Sequence, residues 1–215
     1  MDLSPDDRRA HWDDRYRTVG ARSVSWFEQE PATSLALIER AGATATTSVI
    51  DVGAGASALT RVLQRRGFTD LTALDVAQAA LDEARSAVDR PDEVSWIRAD
   101  LLEWSPARRW GVWHDRAVFH FLTEPADRAA YRRLLDRAVE PDGTVIVATF
   151  AEDGPTTCSG LPVNRYDADA LTAELGPGWT QVDSGRSDHL TPSGAVQPFT
   201  WVMARRSRDR RTDST

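Results

Sequence analysis

Four carboxylates stand at matching places along this chain: Asp51, Asp75, Asp100 and Asp115. Each closes or follows a short apolar run that reads as a strand. In an open α/β sheet, ligands lie beyond the carboxyl ends of the strands. A row of acids at those ends suits a ligand rich in hydrogen-bond donors and positive charge. The sharpest stretch is Val-Ile-Asp-Val-Gly-Ala-Gly-Ala-Ser, residues 49–57. Gly53 and Gly55 follow a β-branched run at once and let the backbone approach a ligand too closely for any Cβ. Asp51 lies inside that turn motif. It would repel a pyrophosphate but hold an ammonium group through charge-assisted hydrogen bonds. Asp75, with Val76 beside it, lies where an acid can accept from both hydroxyls of a ribose. Asp100 offers a carboxylate for an adenine amino group, and Leu101 a backbone N–H for the ring. The fourth end offers His114-Asp115-Arg116, with Phe119-His120 just beyond.

The glycines alone leave two readings open. With Ala58 they satisfy G-x-G-x-x-A, the turn of a dinucleotide-binding fold and hence of an NAD(P)-dependent oxidoreductase. They equally suit an S-adenosylmethionine (SAM) methyltransferase, and Asp51 favours that second reading. A third is a module that holds SAM without chemistry. Asp115 and His120 are the candidate bases, although His120 also reads as a residue beginning the next helix. Cys158 reads as a buried bystander thiol.

The positioning elements alternate. A helix starts at Ser4-Pro5-Asp6-Asp7, where a cap, a first-turn proline and acids meet the positive helix end, and it stops at Gly20. Trp12 and Tyr16 share one of its faces. A second helix opens at Pro31. Then come a strand at 48–52, a helix at 60–66 with Ser57 as its cap, and a strand at 71–76. A helix at 77–88, strands at 94–98 and 112–118, and a helix at 125–139 follow. Pro141-Asp142-Gly143 reads as a turn before a strand at 144–150. This alternation implies a parallel sheet with helices on both faces. Residues 152–162 read as a rim loop and 167–175 as a helix. Runs at 179–183 and 199–205 read as an antiparallel pair at one sheet edge. That pair implies a seven-stranded, mostly parallel Rossmann-like sheet rather than a six-stranded dinucleotide plan. The expected division is an N-terminal helical cover at 1–45, a core at 46–206 and a disordered tail at 207–215.

Composition bounds the partners. The 215 residues suit one domain, and the net charge of −7 argues against a nucleic-acid grip. One cysteine excludes an internal disulfide and fits a reducing cytoplasm. No stretch approaches the ~20 apolar residues of a membrane span, and the acidic N-terminus does not read as a signal peptide. No metal is expected, and the working form reads as a monomer or weak dimer.

Taken together, the glycine motif with Asp51, then Asp75, Asp100-Leu101 and the closing strand pair, resemble class I SAM-dependent methyltransferases. His11-Trp12-Asp13-Asp14-Arg15-Tyr16, followed by Ser25-Trp26-Phe27, is similar to the W-D-x-R-Y opening of a lysine methyltransferase subgroup. His114-Asp115-Arg116-Ala117 resembles the W-D-R-G tract of thiopurine-type S-methyltransferases, with Ala117 in place of glycine. The resemblance implies SAM as cofactor and a small-molecule or protein acceptor. It also implies that Trp12, Tyr16 and Trp26 cover the cofactor and that Arg116 reaches toward cofactor or substrate.

Overall fold

The computed structural model describes residues 4–20 and 23–207. Helix α1 (Pro5–Val19) begins as its sequence requires: the Ser4 hydroxyl accepts from the Asp7 N–H, and Gly20 closes the far end. Helix α2 (Ala32–Arg40) follows Pro31. The alternating core then runs β1 (Val49–Val52), α3 (Leu59–Arg65), β2 (Leu71–Asp75), α4 (Gln78–Ala87), β3 (Val94–Arg98), β4 (Trp110–Arg116), α5 (Pro125–Ala138) and β5 (Val139–Phe150). A hairpin of β6 (Thr157–Cys158) and β7 (Leu161–Pro162), helix α6 (Ala168–Leu175), β8 (Trp179–Leu190) and β9 (Val196–Arg206) complete the chain.

The seven-stranded sheet has the order β3-β2-β1-β4-β5-β9-β8. Strands β1 to β5 pair in parallel, and β9 runs antiparallel to both β5 and β8. The last strand therefore inserts between its two neighbours, as the paired terminal runs imply. Burial explains the rest. Every residue of β1 and β2 is buried, whereas the edge strand β3 is only partly so.

Side-chain alternation divides the sheet into two faces. Ile50, Val52, Trp113, Val145 and Val147 pack with Tyr131, Leu134 and Leu171 of α5 and α6. Val49, Val112, Ile146 and Ala148 pack with Leu35, Ile38, Leu59 and Leu63 of α2 and α3.

Local departures are few. Ala58, not Ser57, caps α3, although the Ser57 hydroxyl accepts from the Leu59 N–H. The run Pro141-Asp142-Gly143 is not a separating turn. It lies within β5, where Val139 pairs with Trp110 before the register shifts and Thr144 pairs with Val112. The rim loop carries the β6–β7 hairpin, with Cys158 buried in it. Strands β8 and β9 extend well past the residues expected of them. Of the expected tail, 208–215 lies outside the described residues.

Candidate active site

The strand order reverses at β1, with β2 and β3 on one side and β4 and β5 on the other. A crevice opens beyond the carboxyl ends at such a switch point, and a cavity of about 170 Å³ lies there. Gly53, Asp75, Val76, Asp100 and Leu101 line it from the strand ends. Trp12, Tyr16 and Trp26 line it from the N-terminal segment, and Arg116 from the end of β4. Nine of the residues expected at a cofactor site thus share one cavity wall.

Both oxygens of Asp75 accept backbone hydrogen bonds, Oδ2 from Gly55 N–H at 2.7 Å and Oδ1 from Ala77 N–H at 2.8 Å. The carboxylate therefore ties the glycine turn to the start of α4. Burial pushes its pKa up to about 6, against the opposing pull of those N–H groups. Asp100 accepts from Leu102 N–H at 3.0 Å and from Arg8 Nε at 2.7 Å.

Arg8 lines the cavity and joins α1 to the end of β3. Asp13 makes a second tie. Its Oδ1 accepts from Ala79 N–H and its Oδ2 pairs with Arg98. Neither tie was expected from the sequence. The signal for Arg8 was present, since it lies one helical turn before Trp12. Trp12 meets Trp26 and Phe121 edge to face, with ring centroids 5.7 and 5.2 Å apart.

The two glycines also make room for protein side chains. Gly53 (φ +61°) and Gly55 (φ +55°) are left-handed, but the space a Cβ would take is filled by protein. A Cβ on Gly53 would lie 2.0 Å from Val118 Cγ2, and one on Gly55 would lie 2.4 Å from Tyr16 Oη. Gly55 lines neither cavity; it admits the Tyr16 phenol, which accepts from Trp26 Nε1. Gly55→Ala is therefore expected to push Tyr16 aside and lower stability by about 1–3 kcal/mol. A thermal melt checks this, and an unchanged midpoint would show that the ring moves freely.

Arg116 is half-buried. It donates to the Trp26 carbonyl and to Glu28, each at 3.1 Å, and lies over the Phe199 ring. Burial lowers its pKa, and the Glu28 carboxylate opposes that shift. Burial alone would raise the Glu28 pKa, but His189 and Arg116 hold it below the usual carboxylate range. Ala117 takes the left-handed conformation at φ +67°. A side chain there costs roughly 1–2 kcal/mol, at the position where the related tract has glycine.

Two expectations are corrected. Asp115 is fully buried and lines neither cavity. Its Oδ1 caps the Val118 and Phe119 N–H groups, and its Oδ2 accepts from Tyr131 Oη at 2.8 Å. The reason is parity. Asp115 pairs with Val52 and points to the α5 face, whereas Asp51 pairs with His114 on the α2 face. His120 is also fully buried, packed against Phe121 and Phe150 and away from the cavity. Burial pushes its pKa down to about 3, which leaves it a neutral, weak base that lines neither cavity. Asp127, from the first turn of α5, and Leu161 and Pro162 of the hairpin line the cavity instead.

Asp51 faces a second cavity of about 40 Å³, which shares Trp26, Gly53 and Arg116 with the first. Its Oδ2 is buried and without a hydrogen-bond partner among the described residues. A buried orphan carboxylate oxygen, the carboxylates of Asp75 and Asp100 at the strand ends along the adjoining cavity and an aromatic wall form a set that fits SAM.

Residues 49–143 match the family model described as a methyltransferase domain. Among curated proteins there is no match. Among solved structures, a SAM-dependent methyltransferase from Anabaena variabilis is 14% identical, with 96% of each chain covered and a TM-score of 0.73. A Burkholderia thailandensis N1-methyltransferase, bound to 1,6-didemethyltoxoflavin and S-adenosylhomocysteine, is 19% identical; 96% of this chain and 92% of that one are covered, with a TM-score of 0.70. The N-methyltransferase NodS from Bradyrhizobium japonicum, with S-adenosylhomocysteine, is 16% identical; 92% of this chain and all of that one are covered, with a TM-score of 0.71. These likenesses show the fold. The fold is that of class I SAM-dependent methyltransferases, and residues 49–143 match a methyltransferase domain.

Proposed function

We propose that this enzyme methylates a small molecule whose acceptor atom enters between α1 and the β6–β7 hairpin. The observation that carries this reading is the wall itself. Trp12, Trp26 and Phe121 face the same cavity as Cys158, Leu161 and Pro162, which suits a compact, largely apolar acceptor. The Burkholderia thailandensis relative, with its heteroaromatic ligand, is consistent with this reading. A protein side chain is the second acceptor class, and the negative net charge disfavours nucleic acid.

In this reading, Asp100 and the Leu101 N–H hold the adenine of the cofactor and Asp75 holds its ribose. Asp51 holds its ammonium group. Trp12, Tyr16 and Trp26 form the cover, and the region before residue 46 acts as a lid on the core. SAM supplies an activated methyl group on a sulfonium, so little covalent chemistry falls to the protein. What the chain contributes is alignment for an in-line displacement, exclusion of water and aromatic faces toward positive charge. Arg116 fixes Trp26 through its carbonyl rather than acting as an acid.

Cys158, pushed up to about 11 by burial, stays a thiol on this wall. Among the described residues no helix is long and apolar enough to cross a membrane. With the single free cysteine, this supports a cytoplasmic location. The exposed large apolar side chains among the described residues are Val182, Leu190 and Val196. These are too few for a large apolar interface and consistent with a monomer or weak dimer.

The direct test is transfer of label from SAM to small-molecule and protein fractions of a cell extract. Label in the small-molecule fraction is expected. Label confined to protein would reverse the acceptor reading, and none in either would favour a non-catalytic SAM module. Quenching by NADH but not SAM would restore the oxidoreductase. Trp12→Ala is expected to weaken SAM roughly tenfold through loss of one aromatic wall, with the fold retained. If the variant unfolds while affinity survives in its folded fraction, Trp12 is a packing residue only.

A further inference from the structure

Three side chains from separate elements form a hydrogen-bonded line behind the second cavity. Ser34 Oγ lies 2.9 Å from His114 Nε2, and His114 Nδ1 lies 2.7 Å from Asp51 Oδ1. All three are buried, at 3%, 3% and 5% exposure. The sheet register creates the inner pair: β1 and β4 run parallel with Asp51 opposite His114, so both side chains leave the same face. The buried side of α2 then brings Ser34 against the imidazole.

The order Ser–His–Asp is that of an acyl-transfer triad, but the space beside it is not. The adjoining cavity is about 40 Å³, and Ser34 lies within a helix. Such a space admits an ammonium group or a little water, not an acyl substrate. The hydrogen bonds also have a direction. Asp51, as a carboxylate, only accepts, so His114 Nδ1–H donates to it. In neutral imidazole Nε2 is then the acceptor for the Ser34 hydroxyl. One oxygen of Asp51 is held by this line, which leaves Oδ2 unpartnered and buried in a residue on the cavity wall.

We propose that Ser34 and His114 are positioning residues that hold the Asp51 carboxylate in register for the ammonium group of the methyl donor. This rests on the reading of Asp51 given above. The consequence is selective: the line serves the amino-acid end of the donor and has no bearing on its base or sugar. Methylthioadenosine, which keeps the base, sugar and sulfur but lacks the amino acid, is therefore blind to it.

The test is calorimetric titration of S-adenosylhomocysteine and methylthioadenosine into the full chain and its variants. Wild type is expected to prefer S-adenosylhomocysteine. His114→Leu should weaken S-adenosylhomocysteine about tenfold and leave methylthioadenosine unchanged. His114→Asn, whose amide N–H can replace the donor to Asp51, should recover most of the loss. Ser34→Ala should show the same pattern at roughly threefold and keeps the test open if His114→Leu does not fold. Equal losses for both ligands would overturn the proposal, as would no loss for either. Wild-type affinities that match for the two ligands would overturn it while leaving the donor site intact. Wild type that binds neither ligand would remove the donor-site reading itself. Labelling of Ser34 by a fluorophosphonate would replace the proposal with a nucleophilic serine.

Discussion

Asp75→Ala is expected to weaken SAM by roughly 100-fold or more, because hydrogen bonds to a charged acceptor are worth about 1.5–3 kcal/mol each and a ribose offers two. The truncation also leaves the Gly55 and Ala77 N–H groups without an acceptor, so the glycine turn loosens with it. Asn is no silent replacement, since each carboxylate oxygen already faces an N–H and the amide would set donor against donor. Titration calorimetry checks the loss; unchanged affinity would show that the sugar lies elsewhere. A pH dependence accompanies it. The carboxyl titrates at about 6 in the free enzyme, and the ribose hydroxyls need the carboxylate form. Affinity should be full above pH 6 and fall by up to about tenfold per unit below it.

Asp115→Ala should damage the fold instead of the site. The truncation leaves the Val118 and Phe119 N–H groups and the Tyr131 hydroxyl unsatisfied in a buried network that also includes Trp113 Nε1. A loss of about 3–5 kcal/mol is expected, or roughly 10 °C in melting temperature for a chain of this size. SAM affinity in the folded fraction should stay within about threefold, because no interaction with the donor is lost. A large affinity loss without a stability loss would return Asp115 to the active site.

Its titration has the opposite sign to the affinity effect. Burial raises this carboxyl from 3.8 to about 6 on folding. The folded state therefore binds the proton more tightly, and the resulting stabilisation is complete below about pH 4. It is lost as the pH rises to about 6, a change of roughly 3 kcal/mol. Acidification from pH 6 to 4 should thus weaken SAM through Asp75 while this contribution to stability grows. Asp115→Asn should remove its share of the second trend, which Asp75 also feeds, and leave the first.

How much was legible in the linear chain depends on the range of the interaction. The capped start of α1, its stop at Gly20 and the β-branched run before Gly53 are local, and propensity and steric rules decide them within a few residues. The seven-stranded plan was legible because alternation forces parallel pairing, and two consecutive strands at the end break it. That the acids at 51, 75 and 100 stand on the walls of adjoining cavities was legible as well, because strand ends meet beside the switch point in any sheet of this kind.

Asp115 shows where such reading stops. It ends a strand as the other acids do, but whether it faces the crevice depends on the parity of β4 against β1, and one residue of register reverses it. The use of the glycines was hidden for a similar reason: Tyr16 and Val118 reach those spaces only after α1 has docked and β4 has ended. The ties from Arg8 and Asp13, and the line from Ser34 through His114 to Asp51, join residues from 63 to 92 positions apart in the chain. Sequence by itself determined the elements, their order and the chemical kind of ligand, since those follow from local preference and from the charges at strand ends. Tertiary structure alone decided which acids face the ligand, because a strand alternates its side chains and only the completed packing assigns each face a neighbour.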